Sequence, residues 1–385
     1  MSTTIWTVKN QTKGITYSNI LSLNFSNGRQ TFIDDYSGNT ASVTILNNNE
    51  ATLSVDLGDQ IRIYPTVNSE TSGAMVFWVT SFLFNDEPGS MGNSSVTILA
   101  EDSIARLGRR VVSVTTTAGN LCLTQLKSMV ETYGNPINFC NVQSSSEMSF
   151  ASSQTWNGSI ADFLRQQMRT EQGWISSSPV TYNQSTALGG TIFVNGRRAG
   201  RQQIFEYGRT PSASVIGYQD IQRNKFFDIF ANDVTISPVG LAPQQTTNAA
   251  SVAAYGNYSV SQGSSDFTTT QAAGLSQYLS TVLSDLNLLN IVISFSDKIQ
   301  SDAGFQYKNF AINLHIVSGY KSTLYYRQPG DTVDRSIQVT MTGYSVSVTP
   351  SETIWTCYFA PMSVYNYFKL NSDTQGILNE SRLGW

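Results

Sequence analysis

A nucleophile in this chain has one imidazole to draw on. His315 is the sole histidine in 385 residues, within the stretch FAINLHIVSGY. A Ser-His-Asp relay would need that ring beside a serine held on a sharp strand-to-helix turn, and no GxSxG stretch supplies one. A cysteine nucleophile would need the same ring. His315 lies in a β-type alternation and reads as a structural imidazole, because a metal site needs further ligands that are scarce here. A carboxylate pair able to cleave a glycosidic bond could be drawn from Glu50, Asp56, Asp86 and Glu87. Those acids fall in loop-type sequence, where acids are ordinarily just solvated. DEPGSMGNSS, after Asn85, lacks the spaced acids of a calcium loop and reads as a long hairpin loop. The expectation is no catalytic residue, no cofactor-binding residue, no metal site and no enzymatic activity.

Cys122, Cys140 and Cys357 make an odd set without CxxC spacing. They are expected to be free, mostly buried thiols of a protein assembled in a reducing cytoplasm. The start, MSTTIWTVKN, lacks the charged and apolar regions of a signal peptide. LSDLNLLNIVISFS is too short and too polar to span a membrane, so no stable membrane insertion is expected. Only 13% of the residues are charged and the net charge is −4. No basic run offers a grip on phosphate backbones. A 40% hydrophobic chain of this length builds real cores and more than one ordinary domain.

Most of the elements are β. TASVTILNN, ATLSVDLGDQIRIYP, MVFWVTSFLF and SSVTILAED are rich in Val, Ile, Thr and aromatics, with Asn, Gly, Asp or Pro clusters between them. IARLGRR follows as a short helical turn. LCLTQLKSMVETYG carries Leu123, Leu126, Met129 and Val130 at helical spacing and stops at Gly134 and Pro136. TWNGSIADFLRQQMRTEQGWI (155–175) has Ser159 as N-cap, an apolar face of Ile160, Phe163, Leu164 and Met168, and Gly173 as its stop. Phe163 and Leu164 are expected to be buried, and Arg165, Gln166 and Gln167 to be mostly exposed or at an interface. The stretch from about 242 to 270 reads as a polar loop. The next helix has Leu275, Tyr278, Leu279 and Val282 on one face. NIVISFS, FAINLHIVS, SIQVTMTGYSVSVTP and ETIWTCYFAP return to β.

A weak internal repeat organises these pieces. SVTIL (42–46), LGDQIRI (57–63), FWVTSF (77–82) and SVTILAEDSIARL (95–107) are matched in order by DVTIS (233–237), PGDTVDRSIQV (329–339), TGYSVSV (342–348) and IWTCYFAPMSVYNYF (354–368). Gly58–Asp59 and Gly330–Asp331 read as turn pairs, glycine supplying positive φ and aspartate capping through its side chain. In the second copy the first two pieces lie roughly ninety residues apart, which implies an insertion.

On these passages the sequence resembles the baseplate hub (tail hub) proteins of tailed bacteriophages, including siphophage tail-tip hub-like proteins. The barrel-type run ASVTILNNNEATLSVDLGDQIRIYP carries the likeness. So do the helix ending on Glu171–Gln172–Gly173–Trp174 and followed by IFVNGRR, the strand FFDIFANDVTI, and the Tyr-Gly segment before TTTQAAGLSQYLSTVL. The ending LNESRLGW matches the tail-tip C-terminal pattern in part, with Asn379 where glycine is usual. The resemblance implies a mainly β (α+β) fold of two tube-protein-like antiparallel β-barrels, an inserted mixed α/β domain and a C-terminal extension. The expected division is 1–112 for the first barrel and 113–205 plus 242–300 for the middle α/β domain. The second barrel takes 206–241 plus 301–350, and the last strand and extension take 351–385. The implied role is a structural ring at the tail tip. It would continue the tail tube, adapt sixfold to threefold symmetry and gate DNA passage. The implied partners are two further copies in a homotrimer, a distal tail or tail tube protein ring, the tape-measure protein, and tail-tip spike or fibre proteins. DNA would pass through the bore without specific binding. The implied location is the virion tail, assembled in the host cytoplasm, with any wall-cutting or receptor-binding domain on a separate protein. The alternatives are a distal tail adaptor, or a receptor- or sugar-binding tail-tip β protein using the six Trp and eighteen Tyr.

Overall fold

The computed structural model describes residues 4–31, 34, 36, 38–47, 54–71, 73–85, 94–142, 148–171, 173–178, 190–195, 205–225, 230–238, 240–264, 268–285, 289–300, 305–313, 321–361, 367–368 and 382–383. The first barrel uses β1 (Thr4–Asn10), β2 (Ile15–Tyr17), β3 (Ile20–Gly28), β4 (Thr40–Leu46), β5 (Gln60–Val67), β6 (Glu70–Thr71), β7 (Met75–Asn85) and β8 (Ser95–Glu101). Its main strands pair in the order β3-β4-β8-β7-β5-β1. Alternation decides which face turns inward: in β4, Ala41, Val43 and Ile45 are buried while the residues between them are not.

The chain then leaves the barrel through α1 (Ser103–Leu107), β9 (Val111–Thr115), α2 (Cys122–Tyr133), β10 (Ile137–Val142), β11 (Thr155–Ser159), α3 (Ile160–Glu171), β12 (Trp174–Ser178) and β13 (Gly190–Asn195). It re-enters the large sheet with β14 (Phe205–Gly208), β15 (Ile216–Gly217) and β16 (Asp220–Lys225). Next come β17 (Asp233–Pro238), β18 (Gln244–Thr247), α4 (Ala249–Tyr255), β19 (Ser259–Ser264) and α5 (Thr269–Leu283). The second barrel finishes with β20 (Leu289–Ser296), α6 (Phe305–Ile312), β21 (Lys321–Tyr326), β22 (Arg335–Thr349) and β23 (Glu352–Pro361).

The duplication is real in topology, but its copies align differently from the sequence expectation. Within the first barrel the pairing order is β5-β7-β8-β4-β3; within the second it is β21-β22-β23-β20-β16. If each set of five is numbered along the chain, both read 3-4-5-2-1, and every pair is antiparallel. Both fourth strands carry a bulge against the fifth, between Val79 and Ser81 in β7 and between Met341 and Gly343 in β22. The strand next to these five breaks the likeness: β1 runs antiparallel to β5, but β14 runs parallel to β21.

Four expectations change accordingly. Asp233–Pro238 does not begin the second barrel; it pairs with β18 and β19 in a small sheet of its own. Leu289–Ser296, expected in the middle domain, is a barrel strand between β16 and β23. SIQV and TGYSVSV are not two strands but one, β22. The polar stretch from about 242 to 270 contains β18, α4 and β19. The insertion therefore lies between the first and second strands of the second copy, where the first copy has only the short link from β3 to β4.

The described residues form two apolar cores. One runs through both barrels and includes Phe25, Phe77, Tyr344, Trp355 and Phe359. The other is built by the intervening segments and joins α2, α3 and α5 to β13 and β17 through Leu126, Phe163, Val194, Val234 and Leu275. Leu123, Leu126, Met129 and Val130 are all buried, as their spacing implies. The α5 helix starts on a reciprocal capping box between Thr268 and Gln271.

Candidate functional site: the joint between barrels and middle layer

Two sets of contacts turn separate sheets into one body. The first lies between the barrels. The distal half of β22 pairs with β3, matching Gly343 to Gly28, Val346 to Phe25 and Val348 to Leu23. Backbone comes very close where this crossing begins. A Cβ on Gly343 would stand 2.6 Å from the Arg29 carbonyl oxygen, and one on Gly28 would stand 2.5 Å from that of Thr342. Glycine at both positions permits the approach. The buried carboxylate of Asp297 accepts from the backbone N–H of Thr4 (3.2 Å) and of Thr353 (3.1 Å), tying β1 to β23. The Trp6 indole N–H donates to the Thr353 hydroxyl at 2.9 Å. Aromatic rings continue across the seam: Phe25 meets Tyr344 at 6.3 Å, and Trp355 meets Trp6 at 5.8 Å and Phe310 at 5.0 Å between centroids.

The second set fastens the middle layer to the first barrel. Asp102 is fully buried at the end of β8. One carboxylate oxygen caps α1 by accepting from the Ala105 N–H at 2.8 Å. The other accepts from the Asn39 amide at 2.8 Å and from the Ser177 hydroxyl at 2.7 Å. Burial raises its pKa against the pull of these donors. Ser177 also offers its carbonyl to the Asn27 amide at 3.1 Å. One carboxylate thus holds β8, α1, β12 and the start of β4 together.

The end of α3 belongs to the same fastening. Ser159 caps the helix, accepting from the Asp162 N–H at 3.1 Å. At the other end the Gly173 N–H bonds back to the Met168 carbonyl at 3.1 Å. Glu171 is buried and accepts from the Met148 N–H at 3.1 Å. The Gly173 carbonyl accepts from the Tyr36 hydroxyl at 3.0 Å. Trp174 is buried, and the Arg29 guanidinium sits 5.5 Å from its ring and 4.6 Å from that of Tyr36. Glycine and aromatic at this helix stop therefore dock the middle layer on the loop after β3, while the acid braces the segment before β11; Gln172 lies outside the described residues. Phe163 and Leu164 are each 1% exposed, as expected. Gln167 is buried rather than exposed. Its neighbour Arg165 is half-buried, donating to the Tyr36 carbonyl at 2.7 Å. The helix is wrapped on a wider arc than its apolar stripe shows.

Of the residues weighed for catalysis, His315, Glu50, Asp86 and Glu87 lie outside the described residues, as does most of LNESRLGW. Asp56 is exposed and paired with Lys13. Both Gly-Asp pairs are turns: Gly58 and Gly330 have φ of +83° and +88°. Asp59 accepts from the Asp56 N–H at 2.9 Å, and Asp331 from that of Gln328 at 2.9 Å. Among the described residues no group of three or more His, Cys, Asp or Glu side chains could hold a metal ion. Nor is any helix there long and apolar enough to cross a membrane.

Cys122, Cys140 and Cys357 are free and buried. Burial first, then the nearby Glu131 carboxylate, pushes the Cys140 thiol up to about 12, and burial alone raises Cys357 well above its ordinary range. Since the thiolate is the reacting form, native protein at pH 8 is expected to take up almost no maleimide, and unfolded protein three equivalents. Rapid labelling of Cys140 or Cys357 in the folded protein would contradict their burial.

The duplicated barrels joined to an α/β layer make a β-rich α+β fold. Solved structures share this fold over most of its length. A tail protein from Neisseria meningitidis matches with a TM-score of 0.64 at 10% identity, over 94% of this chain and 98% of that one. The 43 kDa tail protein of prophage MuSo2 from Shewanella oneidensis matches at 0.60 and 10%, over 94% and 100%. An Escherichia coli component of the type VI secretion system, described as structurally similar to T4 bacteriophage tail proteins gp27 and gp5, matches at 0.55 and 10%, over 91% and 75%. At this identity the likeness is one of fold. No protein-family model matches the sequence, and the curated proteins give no match either.

Proposed function

We propose that the chain is a structural hub at the tip of a phage tail tube. Three copies would form a ring around the tube axis and present six barrels to a hexameric tube or distal tail ring above. The observation that carries this reading is the duplication. Two barrels of the same five-strand order lie in one chain, and only the second is interrupted by the β17–α5 insertion. Six like barrels satisfy a sixfold neighbour, while three insertions leave a threefold face for a spike or fibre protein. The work is positional rather than chemical. DNA would pass through the bore, and the tape-measure protein would end there. Assembly in the host cytoplasm fits the free thiols.

Surface chemistry supports burial among other subunits. Ile5, Leu57, Leu83 and Val111 are 63%, 68%, 62% and 78% exposed in the isolated chain. A sugar-binding reading has less support, because Trp6, Trp78, Trp174 and Trp355 are buried in the cores rather than displayed.

Reconstruction of the tail tip from purified particles tests the proposal. Three copies in a closed ring on the tube axis are expected. Six copies per ring, or a peripheral fibre position, would overturn it.

A further inference from the structure

The joint between the two barrels of one chain has a counterpart with both halves unused. In that joint the distal half of β22, the fourth strand of its barrel, lies against β3, the first strand of the other. By the duplication, the matching elements are β7 in the first barrel and β16 in the second. Each has a free edge among the described residues. The ladder from β5 to β7 covers only Met75–Trp78, and the loop before β5 bonds on to Val79 and no further. Beyond that point β7 is paired only with β8. β16 is paired only with β20.

The register follows from the aligned bulges. Ser81 and Gly343 each follow the bulge, so Phe84 occupies the place of Val346. On the other side, Phe25 faces Ala41, which faces Ala100. Arg223 faces Ile291, which faces Phe359. Ala100 and Phe359 oppose the equivalent residues Val79 and Met341, so Arg223 occupies the place of Phe25. Val346 pairs with Phe25 within the chain.

We propose that the distal half of β7 in one copy pairs antiparallel with β16 of the next copy, Asn85 opposite Gln222 and Phe84 opposite Arg223, closing a head-to-tail ring of three. The number three rests on the hub reading; the joint and its register rest on the duplication.

Exposure marks the same place. Val346 is 2% exposed, but Phe84, in the equivalent position, is 46% exposed with its ring packed edge-on to Phe82 at 5.6 Å. A partner strand on this edge would cover it. Asp220 and Arg223 put charge on the β16 edge, a device that discourages indiscriminate strand pairing. A head-to-tail contact uses two different surfaces and makes a closed ring when its rotation closes. The crossing between copies is less tight than the internal one, because Ser81 stands where Gly343 does. The new ladder accordingly spans Phe82–Asn85 and Gln222–Lys225.

Cysteine pairing tests this on the full chain. Directly opposed residues in an antiparallel ladder have Cα atoms about 4.5–5.5 Å apart, within the roughly 4.4–6.8 Å that a disulfide spans. Asn85 and Gln222 are exposed, and the native thiols are buried. The concentrated double variant Asn85→Cys/Gln222→Cys, oxidised and run without reductant, is expected to give species of two and three chain masses and none above, with near-complete loss of the single-chain band. Asn85→Cys/Arg223→Cys should stay a single chain, because a one-residue step turns the side chain to the other face. No cross-linked species, efficient linking of the offset pair, or a ladder running past three would each overturn the proposal. The two readings fail separately. A three-copy ring formed by a chain found away from the tube axis would remove the hub role and keep the joint. An axial ring without the cross-link would do the reverse.

Discussion

Replacing Trp355 by alanine is expected to destabilise the protein by about 3–5 kcal/mol, the usual loss on truncating a large buried aromatic. Trp355 is 0% exposed on β23. Its ring packs against Trp6 from the first barrel and against Phe295, Phe310 and Tyr344 from the second, with centroids between 5.0 and 6.4 Å apart. The core is continuous across the seam, so the cavity would be felt by both barrels. Equilibrium denaturation followed by tryptophan fluorescence and by far-ultraviolet circular dichroism should show the midpoint moving down in both signals together. Trp355→Phe should recover much of the loss, since most of the ring contacts survive. An unchanged midpoint would mean that the seam is not packed as described. Loss of one signal at lower denaturant, with the other unmoved, would mean that the barrels unfold independently.

How much of this arrangement is legible in the residues depends on the scale of the question. Local periodicity is reliable here: the apolar faces of α2, α3 and α5 are the ones that pack. The two Gly-Asp turns, the buried thiols and the mainly β class follow from equally local chemistry. Pairing partners do not. DVTIS looks like SVTIL because both are half-buried strands with alternating apolar residues, a pattern that records burial of one face and not which core receives it. Val234 and Ile236 face the middle core, while Val43 and Ile45 face the barrel core. The second copy of SVTIL is in fact NIVISFS, recognisable only from the ladder order. Gly343 invites a turn between SIQV and SVSV, but it serves a close backbone crossing inside one long strand.

The fastening of the middle layer was only half legible. The Glu-x-Gly-aromatic stop of α3 stands out in the sequence, and its partners Tyr36 and Arg29 lie far away along the chain. Nothing local to Asp102 points to its part in the fastening. In AEDSIARL it reads as an ordinary helix N-cap, and its role depends on Asn39 and Ser177 arriving from distant segments. Gln244–Thr247 and Ser259–Ser264 read as loop because their strands are built from polar residues. Ladder hydrogen bonds to β17 hold them instead of apolar faces.

Asp102→Ala should be the most damaging polar substitution, costing about 2–4 kcal/mol. Loss of the helix cap contributes roughly 1 kcal/mol. The Asn39 amide and the Ser177 hydroxyl would then be buried without an acceptor, at about 1–3 kcal/mol each. Relief from desolvating a carboxylate offsets part of that sum. The pH dependence separates these effects. Burial raises the folded-state pKa of Asp102 above its ordinary value of 3.8. The folded state therefore binds this proton more tightly than the unfolded state does. Well above that raised folded value the group is ionised in both states and carries its full desolvation cost. As pH falls through the raised folded value that cost is progressively relieved, and the relief is complete below the unfolded value. Asp233 works in the opposite sense, because hydrogen bonds from Ser259, Gln245 and Thr247 lower its pKa. Total stability therefore mixes both signs, and the informative quantity is the difference between wild type and Asp102→Asn. Asparagine keeps an acceptor for the cap without a titrating charge. The stability of wild type relative to Asp102→Asn is expected to rise as pH falls from neutrality into the window between the raised folded value and 3.8, and to level off below it. Urea denaturation at successive pH values measures this. A difference that stays flat with pH would show that Asp102 is not desolvated, and a difference of the opposite slope would show that its donors outweigh its burial.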